Sequence, residues 1–185
     1  MGIRATMPAS AADQQPTGFS STRPTSPPTL LSIGDEKALS IPGAPSLSVD
    51  RRARVPDWAA RMRAVIERHM HEPFEWGGSD CSFVFDVIEA MTGFDAIADM
   101  RGYLTEAGAL RAVRRAGFDS VLEIVQAAFS EIPPGLAGRG DIGYPAEIPH
   151  PLMSPAIIDG HLAFSKHPRG VVMIERTKIA RAWAV

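Results

Sequence analysis

The stretch FEWGGSDCSFVF, residues 74–85, places the single cysteine of the chain, Cys81, between a glycine pair and an apolar run. Glycines allow tight turns and a close approach of the backbone, and apolar residues from Val84 onward recur at helical spacing. The pattern predicts that Cys81 lies at a helix N-terminus, facing a later strand over 156–158, where free N–H groups would favour a thiolate. A buried, inert thiol is the alternative, because lone cysteines are often buried.

The composition is that of one soluble domain with some additional length: 185 residues, 22% charged, with a formal charge of −2. This near-neutral balance gives no electrostatic footprint for nucleic acid, and no apolar stretch has the length of a membrane span. We find no apolar core of a secretory signal, so we expect a cytoplasmic site of synthesis. A single cysteine excludes an intrachain disulfide framework or a cysteine-cluster zinc site, and we expect neither metal nor cofactor.

The first 54 residues differ from the rest in composition. Seven of the 16 prolines fall there, among many serines and threonines. Such a segment buries too little apolar surface to offset its ordering entropy. We therefore predict a disordered or extended tail over residues 1–54, with a short strand or anchor near 38–41, and a folded domain over 55–185. Translation starting further downstream is the alternative.

The folded part changes from helical to strand patterns along its length. Apolar periodicity, polar caps and stops at glycine or proline predict four helices, over about 55–70, 82–93, 105–117 and 119–132. Short segments rich in β-branched and aromatic residues follow from 139 to 185, separated by glycine and proline. Helices followed by strands indicate an α+β domain with an antiparallel sheet.

Several motifs in this domain resemble one family. The stretch WGGSDCSFVF, 76–85, resembles the start of the NlpC/P60 cysteine peptidase domain, and RGDIGY, 139–144, resembles its Gly-Asp strand, in which Gly140 and Asp141 would form a structural turn. The insert at 92–117 and the ending RAWAV resemble a phage-associated branch of that superfamily, described mostly as domains of unknown function. The resemblance covers about residues 56–185.

This resemblance implies a papain-like NlpC/P60 fold, with N-terminal helices packed on a small antiparallel sheet. It also implies a catalytic cysteine, a histidine at the start of a strand and a third polar residue on the next strand. The usual activity of the family is cleavage of the stem peptides of peptidoglycan. By this resemblance Cys81 is the nucleophile.

The family histidine is missing, because SPAIIDG, 154–160, places Ser154 at its position. A serine hydroxyl cannot act as a base toward a thiol near neutral pH, and cysteine activation needs an imidazole within reach. His161, after the turn at Gly160, is our candidate for the base, with His150 and His167 as alternatives. His69 and His71 suit the C-terminal end of the first helix without a catalytic role.

Further residues of the motif are candidates for substrate binding: Trp76, Asp80 and Ser82. Core packing is the alternative for Trp76, and helix capping is the alternative for Asp80. Arg101 and Tyr103, in the insert, either contact a partner or form a solvated turn.

Two classes of function follow from the resemblance. We favour a phage or prophage tail or particle component with a degraded or atypical cysteine peptidase site, whose tail docks on neighbouring particle proteins. The alternative is an active endopeptidase that cleaves cell-wall peptides and is carried by such a particle. A third possibility is acyl transfer by Cys81 alone.

Overall fold

The structure, a computed structural model, describes residues 50–185, which form four α-helices and six β-strands. The helices are α1 (Trp58–His71), α2 (Phe83–Thr92), α3 (Glu106–Arg115) and α4 (Val121–Ala128). The strands are β1 (Ser130–Ile132), β2 (Ile142–Pro145), β3 (Ala156–Asp159), β4 (Leu162–His167), β5 (Gly170–Glu175) and β6 (Ile179–Ala184). The predicted α+β class is confirmed. None of the helices in this part of the chain combines the length and apolarity needed to cross a bilayer.

The six strands form one antiparallel sheet in the order β1-β6-β2-β3-β4-β5. Strands β3, β4 and β5 are consecutive hairpins, and the turn between β3 and β4 contains Gly160 at a φ of 68°. The last strand, β6, returns to lie between β1 and β2. The turn of the β3–β4 hairpin, at Gly160, therefore lies at the opposite end of these strands from the start of β3 and from His167 at the end of β4.

The predictions for the helices hold except for the fourth. Helix α2 ends at Gly93, with a φ of 75°, and α3 is capped by Thr105, whose side chain accepts from the Gly108 N–H. Helix α4, expected to continue to about residue 132, ends at Ala128. Residues Ser130–Ile132 instead pair with β6 as an edge strand, because hydrogen bonds to that strand outweigh the local helical pattern.

Alternate residues of the sheet pack on different apolar clusters. Ile157 belongs to the larger cluster, which includes Cys81 and the buried side chains of α1 and α2. Its neighbours Ala156 and Ile158 belong to a smaller second cluster. Because successive strand residues point to opposite faces, the helices cover the Ile157 face of the sheet.

The folded domain includes three arginines of the predicted tail. Arg51 and Arg54 form ion pairs with the buried Asp141, and Arg52 stacks on the ring of Phe94. The contacts of the folded domain therefore include residues on the N-terminal side of the predicted boundary at 55. The rest of the predicted tail, including the possible anchor at 38–41, lies outside the described residues.

Candidate functional site

Cys81 lies in the turn that leads into α2, immediately before the N-cap residue Ser82. The predicted position, within one residue of the helix N-terminus, is confirmed. Gly77 is required in this turn for two reasons. Its φ is 81°, and a Cβ at this position would lie 1.9 Å from the carbonyl oxygen of Tyr103.

Asp80 is completely buried and organises the same turn. Its carboxylate accepts hydrogen bonds from the backbone N–H groups of Gly77, at 2.7 Å, and Ser82, at 2.8 Å. The hydroxyl of Tyr103 donates a third, at 3.2 Å. Asp80 therefore stabilises the turn and links it to Tyr103 of the insert. It accepts no hydrogen bond from a backbone N–H inside α2. The helix-cap interpretation of Asp80 is corrected accordingly.

The thiol of Cys81 is held in its protonated form. The residue is only 6% exposed, and burial, followed by the nearby Asp80 carboxylate, raises the pKa of Cys81 to about 12. Its polar neighbour is the Tyr103 hydroxyl, with a distance of 3.9 Å between Sγ and the oxygen. The thiolate expected from the helix terminus is therefore not favoured, because desolvation outweighs the helix dipole.

A cleft of about 300 Å³ opens beside Cys81. Its apolar wall includes Phe74, Trp76, Leu152 and Met153. The polar and ionisable residues of its lining are Cys81, Glu106, His150, Ser154, Lys166 and His167. Ser154 precedes β3 by two residues, so the cleft lies between the Cys81 turn and the start of that strand. Of our three candidates for substrate binding, only Trp76 lines this cleft.

The other two candidates are not available to a ligand in the cleft. Asp80 makes its contacts inside the turn. Ser82 is buried and lines a separate small pocket of about 20 Å³, between α2 and the insert. We therefore correct their assignment: Asp80 organises the Cys81 turn, and Ser82 is the buried N-cap residue of α2.

His161 does not lie near Cys81. It is exposed at the β3–β4 turn and lines a separate depression with Gly160 and Arg176. At about 3.3 Å per strand residue, the length of β4 separates this turn by roughly 17 Å from the end at which His167 lines the cleft. The interpretation of His161 as the base is therefore corrected on geometric grounds.

His150 and His167 do line the cleft, but no imidazole nitrogen of residues 50–185 hydrogen-bonds the Cys81 thiol. Nδ1 of His150 accepts from the Leu152 N–H at 3.2 Å, and Nε2 lies 3.1 Å from a carboxylate oxygen of Glu106. Both ring nitrogens of His150 therefore already have partners.

Ser154, which the resemblance to NlpC/P60 peptidases aligns with their histidine, is buried. Its hydroxyl donates to the carbonyl oxygen of Pro155, and its own carbonyl accepts from the Ser165 hydroxyl. These bonds fix the entry into β3. They supply no base, so the polar contacts of Ser154 are structural.

His69 has a structural role that the sequence did not indicate. The ring is 1% exposed and packs edge-on against Phe83. Nδ1 lies 2.7 Å from the Ser79 hydroxyl, and Nε2 lies 3.2 Å from a carboxylate oxygen of Asp86. His69 thus ties the Cys81 turn, through Ser79, to the start of α2. The sequence position of His69 near the end of α1 fits an exposed side chain as well as a buried one, so only its burial reveals this role.

The insert is held in place by charge and by Tyr103. Arg101 pairs with Asp86 at 2.7 Å and with Asp95 at 2.6 Å. These pairs connect the insert to α2 directly, and Tyr103 connects it to Asp80. The alternative of a solvated turn does not fit these contacts.

No curated protein and no solved structure matches this chain. One family model matches residues 53–185, and its description is a domain of unknown function, DUF6950. The match covers all the helices and strands of the structure, including the Cys81 turn, the insert and the cleft. The chain therefore belongs to the DUF6950 family of domains of unknown function.

Proposed function

We propose that this protein is a catalytically silent NlpC/P60-like domain that serves as a binding or assembly component of a phage or prophage particle. The observation that carries this proposal is the environment of Cys81. A buried thiol with a pKa of about 12, hydrogen-bonded to a tyrosine and lacking an imidazole partner in the described chain, is not an activated nucleophile.

The resemblance to the papain-like fold is supported by the order of elements. A cysteine precedes an apolar helix, and the strand that follows Gly140 and Asp141 belongs to an antiparallel sheet packed on that helix. The particle setting is supported by the resemblance of the insert and the ending to a phage-associated branch. A cleft lined by aromatic and ionisable side chains remains available for binding.

An active cysteine endopeptidase acting on peptidoglycan stem peptides is the second candidate. One observation favours it: Cys81 and His150 line the same cleft, and Glu106 is placed to orient the imidazole. Catalysis by this pair would require His150 to leave Leu152 and turn toward the thiol. General-base assistance contributes about 10²–10⁴-fold, so this movement would decide between turnover and none.

The test is digestion of purified cell-wall peptides by wild type, Cys81→Ala and His150→Gln. We expect no turnover by any of the three. Turnover by the wild type that disappears in both variants would establish the second candidate. Ser154→His is a useful fourth protein, because activity gained there shows that only the base is missing.

A further inference from the structure

We propose that the cleft beside Cys81 binds the C-terminal carboxylate of a partner polypeptide that ends in an apolar residue, with Lys166 as the cation that holds it. This inference rests on the proposed binding function of the domain. It is carried by the depth of the charged groups, by the apolar wall and by the size of the cleft.

The lining of the cleft changes from charged and exposed at the rim to charged and buried at the floor. At the rim, Nε2 of His150 lies 3.1 Å from a carboxylate oxygen of Glu106, and the Glu106 and His150 side chains are 51% and 49% exposed. Lys166, by contrast, is 2% exposed and still lines the cleft. The carboxylate of Glu106 is thus a hydrogen-bond acceptor at the rim, whereas the most deeply buried ionisable side chain of the lining is that of Lys166.

The ammonium group of Lys166 retains hydrogen-bonding capacity. Its Nζ donates to the carbonyl oxygens of His69 and Glu72, each at 2.7 Å, at the C-terminal end of α1. An ammonium has three donors, and no third acceptor for Nζ is found within residues 50–185. Burial lowers the pKa of Lys166, against the opposing effect of Glu72. An anion beside Nζ would satisfy the third donor and offset the desolvation of the charge.

The rest of the cleft specifies the remainder of the ligand. Trp76 packs edge-on against Phe74, and with Leu152 and Met153 they give an apolar wall suited to one aliphatic side chain. A volume of about 300 Å³ is at the lower end of the range for ligand pockets. A chain end fits this space and brings a negative charge directly beside its last side chain, whereas the backbone of a peptide interior brings only neutral amides.

The experiment compares two probes on the full chain by isothermal titration calorimetry: N-acetyl-Ala-Ala-Leu with a free carboxylate, and the same peptide as its C-terminal amide. We expect the acid to bind about 10-fold or more tightly than the amide, because charge-assisted hydrogen bonds are the strong ones. Equal affinities, or binding of neither probe at millimolar concentration, would overturn the inference. A third probe, 4-methylpentanoate, has the same carboxylate and side chain without peptide bonds. If it binds as tightly as the tripeptide acid, the ligand is a free acid and the polypeptide assignment is wrong.

Two variants locate the site. Lys166→Met should abolish the preference for the acid, and His161→Gln, outside the cleft, should leave it unchanged. Because Lys166 also caps α1, the variant is first checked by thermal unfolding. If it does not fold, Trp76→Ala replaces it. Trp76→Ala should weaken both probes by a similar factor, and unchanged affinities would place binding elsewhere and overturn the inference.

Mass spectrometry of the probe after titration separates the two proposals. Hydrolysis of the probe would contradict the proposed silent site, whereas equal acid and amide binding would contradict only this inference.

Discussion

Asp80 and Asp141 are both completely buried carboxylates, and each accepts backbone N–H groups from its own turn. They differ in what balances the charge. Asp141 pairs with Arg51 and Arg54 and also accepts from the backbone N–H of Val185. Within residues 50–185 Asp80 has no cationic partner. Its other hydrogen bond comes from the Tyr103 hydroxyl, and its charge raises the pKa of the adjacent thiol.

The difference shows how one buried carboxylate stabilises a fold while another controls a neighbouring group. At Asp141 the arginines from the beginning of the domain meet Val185, the residue after the last strand, so the charge joins distant parts of the chain. At Asp80 the unpaired negative charge disfavours a second one nearby and helps to keep Cys81 protonated. An aspartate next to a motif cysteine therefore does not by itself indicate an activated nucleophile.

The largest effect is expected from Asp141→Asn. Removing one partner of a buried ion pair costs about 3–5 kcal/mol, and we expect the lower end because the Arg51 side chain is 41% exposed. Urea unfolding measures this loss of stability. The matched control is Glu131→Gln, which breaks an exposed pair with Arg181 and should cost less than about 1 kcal/mol. Equal losses in the two variants would show that the ion pairs of Asp141 do not stabilise the domain as described.

Asp80→Asn should lower the free energy of unfolding by about 1–3 kcal/mol relative to wild type. This loss is smaller than the one expected for Asp141→Asn. The amide of the variant can accept from only one of the two N–H groups of the turn, but it leaves no arginine unpaired. It should also lower the pKa of Cys81, because it removes the carboxylate charge that raises it. The rate of alkylation by iodoacetamide as a function of pH measures the shift. A larger loss of stability than in Asp141→Asn would contradict the view that the carboxylate paired with arginines contributes more to stability.

The sequence predicted the elements better than it predicted the site. Apolar periodicity and glycine stops located α1 to α3, since these signals are local. Periodicity failed at Ser130–Ile132, where pairing with a strand about 50 residues later decides the structure. Sequence proximity also selected His161, yet the β3–β4 hairpin carries it away from Cys81. Neither the burial of His69 nor the depth of Lys166 has a local signature.

The titration of Cys81 links stability to pH with a definite sign. The pKa of the thiol is about 12 in the folded protein against an ordinary value of 9.0, so above pH 9 the unfolded chain has lost a proton that the folded chain keeps. The contribution of the protonated Cys81 thiol to the free energy of unfolding is therefore fully present below pH 9 and is lost as the pH rises toward 12. The slope approaches about −1.4 kcal/mol per pH unit. Urea unfolding from pH 8 to 10.5 should show a shallower decline in Cys81→Ala than in wild type. Parallel declines would mean that the thiol titrates at its ordinary pKa.

The smallest effect is expected from Tyr103→Phe, which removes one hydroxyl and keeps the ring. The variant loses the hydrogen bond to Asp80, so stability should fall by about 0.5–1.5 kcal/mol. The hydrogen bond from Tyr103 also lowers the pKa of Cys81, so the variant thiol should become slightly less acidic and alkylate more slowly near neutral pH. The change should be small because Sγ and the phenolic oxygen are 3.9 Å apart.

Tyr144→Phe is the matched control, since its buried hydroxyl donates to the Met153 carbonyl. It should cost similar stability without changing the alkylation rate. Faster alkylation in Tyr103→Phe than in Tyr144→Phe would show instead that the Tyr103 hydroxyl shields the thiol sterically, and that its hydrogen bond contributes little.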